Sequence, residues 1–97
     1  MPRTPLKLGL IDISGYDPER IGVLTFRTQY AGVPAHHQIV LSPEGDLRTA
    51  AKHLFGAIRY LDSLGLSLIL AEELPEMGIG RAINDRLRRA SAVARNV

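Results

Sequence analysis

A chain of 97 residues, 45% hydrophobic and 23% charged, has the size and composition of one globular domain and not of a disordered tract. It contains no cysteine, which excludes a disulfide framework, thiolate zinc ligation and a cysteine nucleophile. The isoelectric point is basic but the formal net charge is only +2, so nucleic-acid binding would need the basic residues gathered on one surface. The longest apolar runs fall far short of the ~20 residues that cross a bilayer. The N-terminus has no signal-peptide core, and the expected location is the cytoplasm.

The opening stretch, Pro2-Arg3-Thr4-Pro5-Leu6-Lys7-Leu8, is Pro-rich and basic, which reads as a linker tail or an edge segment. The alternation of Leu6, Leu8 and Leu10 with Lys7 and Gly9 permits a short strand there. Ser14–Glu19 is turn chemistry. The run Ile21–Phe26 is β-branched, aromatic and nearly continuous in apolar character, the pattern of a strand buried on both faces. Residues 28–37 contain Gly32 and Pro34, show no helical period, and read as a loop or single distorted turn.

Gln38–Leu41 predicts a second strand, and Ser42–Asp46 a turn with Asp46 or Ser42 as N-cap. The helix that follows runs to about Leu64, with Leu47, Ala50, Ala51, Leu54, Phe55, Ile58 and Leu61 spaced as one apolar face and Gly65 as its C-terminal cap. Leu66–Ala71 is a further buried strand. An acidic turn (Glu72, Glu73, Glu76) then leads through Gly78-Ile79-Gly80 to a basic amphipathic helix over Arg81–Ala90. Alternating buried strands and helices predict an α/β fold with a mainly parallel sheet of three or four strands covered by helices.

In such a sheet ligands lie beyond the carboxyl ends of the strands, where the turns Ser42–Asp46 and Glu72–Gly80 open helices. A lone G-x-G is not a dinucleotide fingerprint, and there is no G-K-[ST] loop. Glu44, Asp46, Glu72, Glu73 and Glu76 would themselves satisfy the helix dipoles and repel a phosphate, which favours plain capped turns. His36 and His37, as neighbours on a strand, would point to opposite faces and not share a metal ion, and His53 is alone. No nucleophile, base and orienting group come together, so residue chemistry offers no catalytic, cofactor or metal site.

One position breaks the pattern of the last helix. Ile79, Ala82, Ile83, Leu87 and Ala90 form an apolar arc in which Arg86 falls, while Asp85 and Arg88 lie outside it. An arginine facing a core must pair or reach past its edge, so Arg86 is expected to be partly buried against Glu72 or Glu73.

Three stretches together carry a resemblance: Gly45-Asp46-Leu47 through Leu61-Asp62, Leu68-Ile69-Leu70-Ala71-Glu72, and Gly78-Ile79-Gly80-Arg81-Ala82-Ile83-Asn84-Asp85-Arg86-Leu87. They resemble the C-terminal domain of the long, two-domain form of threonylcarbamoyl-AMP synthase, whose other domain is of the YrdC type. The likeness covers nearly the whole chain and is weakest over residues 28–37. It implies a small Rossmann-like, three-layer domain at 9–97, preceded at 1–8 by the remnant of an interdomain linker. It also implies that Gly78, Gly80, Arg81, Asn84, Asp85 and Arg86 are structural or docking residues and that the chain is not itself catalytic. In that family the catalytic domain uses ATP, threonine and bicarbonate, with a divalent metal as a candidate addition, so no cofactor is expected in this chain.

The expected function is therefore an accessory domain that docks on a YrdC-type catalytic domain, in cis or in trans, and helps position the linker over its active site. Contact with tRNA would be indirect or weak, no membrane is expected, and a homodimer stays open. The alternative is a free-standing RNA-binding module using Arg81, Arg88, Arg89 and Arg95, and a weaker one is a small nucleotide-binding regulator.

Overall fold

A computed structural model describes the backbone of residues 3–95 and the side chains through Ser91. Three strands, β1 (Leu6–Gly9), β2 (Ile21–Thr25) and β3 (Gln38–Val40), are followed by helix α1 (Leu47–Ser63), a fourth strand β4 (Leu68–Glu72) and helix α2 (Ile79–Arg95). The sheet is wholly parallel, in the order β1-β4-β2-β3. In register, Leu24 of β2 lies beside Ala71 of β4 and Ile39 of β3, and Leu8 of β1 lies beside Ala71 on the other side. β2 and β4 are thus the inner strands, which is why both read as continuous apolar runs.

Strand alternation sends Leu6, Leu24, Ile69 and Ala71 to one face, where they pack with Leu54 and Leu61 of α1 and Ile83 and Leu87 of α2. Ile21, Val23 and Leu70 point to the opposite face and meet Ile11, Ile13, Tyr30 and Val33. Both helices therefore lie on one side of the sheet, and the layer on the other side is made of the two long connections, residues 10–20 and 26–37. The second connection ends in a 3-10 turn at Ala35–His37 and is held by buried Gln38, the first residue of β3. Its amide nitrogen donates to the carbonyls of Tyr30 and Val33, and its Oε1 accepts from the Tyr30 N–H.

α1 starts where expected. Asp46 caps it, accepting from the Arg48 N–H and the Thr49 hydroxyl, while the buried Ser42 hydroxyl accepts from the Asp46 N–H one turn earlier. β1 shows that the segment expected as linker remnant contributes an edge strand: Leu6 is buried, and the Ile69 N–H donates to the Pro5 carbonyl. No helix among the described residues is long and apolar enough to cross a membrane.

The core face predicts its own test. Leu61 is fully buried between α1 and the sheet. Leu61→Ala should lower unfolding free energy by about 2–5 kcal/mol in urea titration, a large share of the ~5–15 kcal/mol expected for a domain this size.

Candidate functional site

The turn between β4 and α2 is built on Asn84. This residue is completely buried, and its carboxamide bonds both backbone groups of Leu74: Oδ1 accepts the N–H at 2.8 Å and Nδ2 donates to the carbonyl at 2.8 Å. The side chain so replaces the strand neighbour that Leu74 has lost by leaving the sheet. Nδ2 also donates to Oε2 of Glu76 at 2.6 Å. Gly80, one turn before Asn84, brings α2 against the turn so closely that a Cβ there would collide with the Pro75 carbonyl oxygen. Gly78 has a positive φ of 54° but open space around it.

A surface layer of charge covers this clasp. Arg88 meets Asp85 at 2.8 Å, Glu76 at 3.1 Å and Glu73 at 3.2 Å, and Arg81 lies 3.9 Å from Glu76. The hydrogen bond from Asn84 foremost, with those of Arg88, holds the Glu76 carboxyl below its ordinary range, and Glu76 in turn raises Arg88. Of the arginines expected to face RNA, Arg81 and Arg88 are thus engaged by carboxylates, Arg89 is exposed, and the Arg95 side chain lies outside the described residues.

Arg86 corrects the expectation made for it. It is exposed, and its guanidinium stacks on the Phe55 ring of α1, 3.7 Å from the centroid. Glu72 instead accepts from the Phe26 N–H at 2.8 Å, and Glu73 goes to Arg88. The buried side of α2 runs through Gly80, Ile83, Asn84 and Leu87, so the helix is turned by roughly 70° from the arc that hydropathy alone suggests. A glycine and an asparagine carry no apolar signal, which is why that side was missed.

His36 and His37 lie in the turn expected over residues 28–37, so the strand geometry invoked for the pair does not apply: their rings meet edge to face, centroids 4.3 Å apart, and His37 is buried. Among the described residues no three His, Cys, Asp or Glu side chains converge to hold a metal ion. His53 Nδ1 lies 3.1 Å from the Leu41 carbonyl, which can only accept, so this nitrogen carries the hydrogen.

One further place is not marked in the sequence, and another is marked only in part. Asp62, in the last turn of α1, accepts the backbone N–H groups of Arg3 (2.9 Å) and Thr4 (2.7 Å) through one oxygen. An acid at a helix C-terminus opposes the dipole, and that misfit was the available signal of a tertiary partner. At the carboxyl ends of β2 and β4, Phe26, Arg27, Thr28, Pro43 and Glu72 line an open cavity of about 340 Å³. Pro43 and Glu72 belong to the two turns that the sequence places at the ligand end of the sheet, whereas Phe26, Arg27 and Thr28 carry no pattern that points to a site.

The clasp makes separable predictions. Asn84→Ala leaves both Leu74 backbone groups unpaired and should cost about 2–4 kcal/mol in urea unfolding. Arg88→Ala, at an exposed network, should shift the urea midpoint far less than Asn84→Ala. Gly80→Ala should be the more damaging glycine change, by about 1–3 kcal/mol or more, because the obstacle is backbone. Because the folded pKa of Glu76 is depressed, its contribution to stability is present above the ordinary carboxylate pKa and is lost as pH falls through the folded value. Glu76→Gln should flatten that acid limb in a pH series of melting temperatures.

With this geometry in place, comparison with known proteins is direct. The family described as "Threonylcarbamoyl-AMP synthase, C-terminal domain" matches residues 4–92. The chain is 33% identical over 72 residues to threonylcarbamoyl-AMP synthase of Bacillus subtilis, covering 74% of this chain and 21% of that protein. It is 49% identical over 41 residues to threonylcarbamoyl-AMP synthase of Pyrococcus abyssi, covering 42% of this chain and 12% of that protein. The chain therefore corresponds to a minor part, 12% and 21%, of the length of these curated relatives. The span and position of the family match leave one conclusion: this chain belongs to the threonylcarbamoyl-AMP synthase C-terminal domain family.

Proposed function

We propose that the chain is a non-catalytic accessory domain of threonylcarbamoyl-AMP synthase, acting in the modification of tRNA to threonylcarbamoyladenosine. It docks on a YrdC-type catalytic domain, in cis or in trans, and sets the position of the linker over that domain's active site. ATP and any metal belong to the catalytic partner, and the cytoplasm is the location this reading implies.

One observation carries the proposal: the chain is fastened to the domain at its first described residues. Asp62 holds the Arg3 and Thr4 backbone, Thr4 is buried, and Pro5 is bonded to the start of β4. A segment arriving from a neighbouring domain would meet a fixed point there and not a flexible tail. Where the last residues of a linker are immobilised, the volume its upstream part can sample shrinks, which is how an accessory domain could hold a covering segment in place.

Asp62 also gives this anchor a pH dependence. Burial by itself would raise its pKa, but the hydrogen bonds from Thr4 and Arg3 outweigh it and hold the carboxyl below its ordinary value. A depressed folded pKa means the anchor is complete above about pH 4 and is lost as pH falls through the folded value.

The test fuses this chain to a YrdC-type catalytic domain through its natural linker and measures threonylcarbamoyl-AMP formation. The fused protein should turn over faster, or at lower substrate concentration, than the catalytic domain with linker alone. Asp62→Ala should remove about 1–3 kcal/mol of stability and most of that gain, while Asp62→Asn, which keeps an acceptor oxygen, should retain much of it. Equal activity with and without the domain would contradict the proposal.

A further inference from the structure

The strand order puts a switch point between β4 and β2. From β2 the chain moves outward to β3 on one side, and from β4 it moves to α2, which packs over β1 on the other. In parallel sheets the crevice beyond the carboxyl ends of two such strands is where ligands settle. The cavity of about 340 Å³ lined by Phe26, Arg27, Thr28, Pro43 and Glu72 lies in that crevice. Its volume is at the lower end of the ~300–1,000 Å³ common for small-molecule sites.

The lining holds one positive and one negative side chain that do not pair. Among the described residues no carboxylate oxygen lies within 4.0 Å of an Arg27 nitrogen, and its guanidinium makes no ion pair. Arg27 is nevertheless placed. It lies across the turn that opens α1, with Nε 3.0 Å from where a Cβ on Gly45 would stand, an approach that the glycine allows. Glu72 is placed from the other side, its Oε1 fixed by the Phe26 N–H, while Oε2 has no hydrogen-bond partner among the described residues. Half-buried Phe26 and exposed Pro43 supply an apolar wall.

We propose that this crevice binds a small zwitterion of the α-amino-acid class, its carboxylate on Arg27 and its ammonium on Glu72. A planar guanidinium can grip a carboxylate through two parallel hydrogen bonds. A free carboxylate oxygen accepts from an ammonium. A phosphate would be repelled by Glu72 and a simple amine by Arg27, whereas a zwitterion engages both charges and leaves the site neutral. The two bounding residues, Arg27 from the end of β2 and Glu72 from the end of β4, thus act as a pair only when such a ligand joins them.

The test follows backbone amide shifts of Phe26, Arg27, Thr28 and Glu72 by NMR. The isotope-labelled chain is titrated with each proteinogenic amino acid, with the N-acetyl derivatives that keep only the carboxylate, and with the amides that keep only the ammonium. At least one free amino acid should shift these amides saturably, and its two derivatives should not at the same concentration. Glu72→Gln keeps an oxygen for the Phe26 N–H and so preserves the fold, yet should weaken binding roughly tenfold or more, as should Arg27→Gln. No response to any amino acid, equal binding of a singly charged derivative, or unchanged affinity in both variants would each overturn the proposal.

Discussion

The bond between the Asn84 carboxamide and the Leu74 backbone is the contact on which the rest of this domain depends. A strand that leaves a sheet carries an N–H and a carbonyl with no neighbour, and burying them unpaired would cost several kcal/mol. Asn84 satisfies both from inside α2, so the helix and the strand end are fixed to each other at a single point. Gly80 lets the two approach closely enough for that bond to form, and Leu87 and Ile83 bury the apolar surface on either side of it. The salt bridges of Arg88 lie outside this contact, in solvent, where they add little but shield it.

The same device recurs in the other irregular segments. Gln38 bonds the backbone of Tyr30 and Val33 and so gives the patternless connection after β2 a fixed shape. Asp62 does the same for Arg3 and Thr4. A small sheet with both helices on one face has to cover its other face with loops, and such loops need polar anchors because they lack their own ladders. The arrangement also separates two ends of the sheet. The amino edge carries the Asp62 anchor and the incoming chain, and the carboxyl edge carries the crevice between Arg27 and Glu72.

What could be read from the sequence follows from this division. The strands β2 and β4, the helix α1 with its Asp46 cap and the parallel order of the elements were legible, because apolar runs, helical spacing and capping chemistry are local signals. The side of α2 that faces the core was misjudged because Gly80 and Asn84 define it without being hydrophobic, and Arg86 was assigned inward as a result. The turn that holds His36 and His37 was legible, but how two rings meet inside a 3-10 turn is a tertiary matter that strand alternation does not describe. The crevice brings Arg27 and Glu72 together across 45 positions of chain, and only the sheet order can do that. Gly78, Gly80 and Asn84 were marked through the family likeness, and the structure supplies the physical reason for Gly80 and Asn84.

If residues 3–5 are held rigidly against the domain, native-state hydrogen exchange of the Thr4 amide should show it. Thr4, bonded to Asp62 at 2.7 Å and buried, should exchange on the slow scale of Ile69 in β4, and Asp62→Ala should remove its protection while leaving that of Ile69. A Thr4 amide that exchanges at the rate of an unstructured chain in the unmodified protein would contradict it.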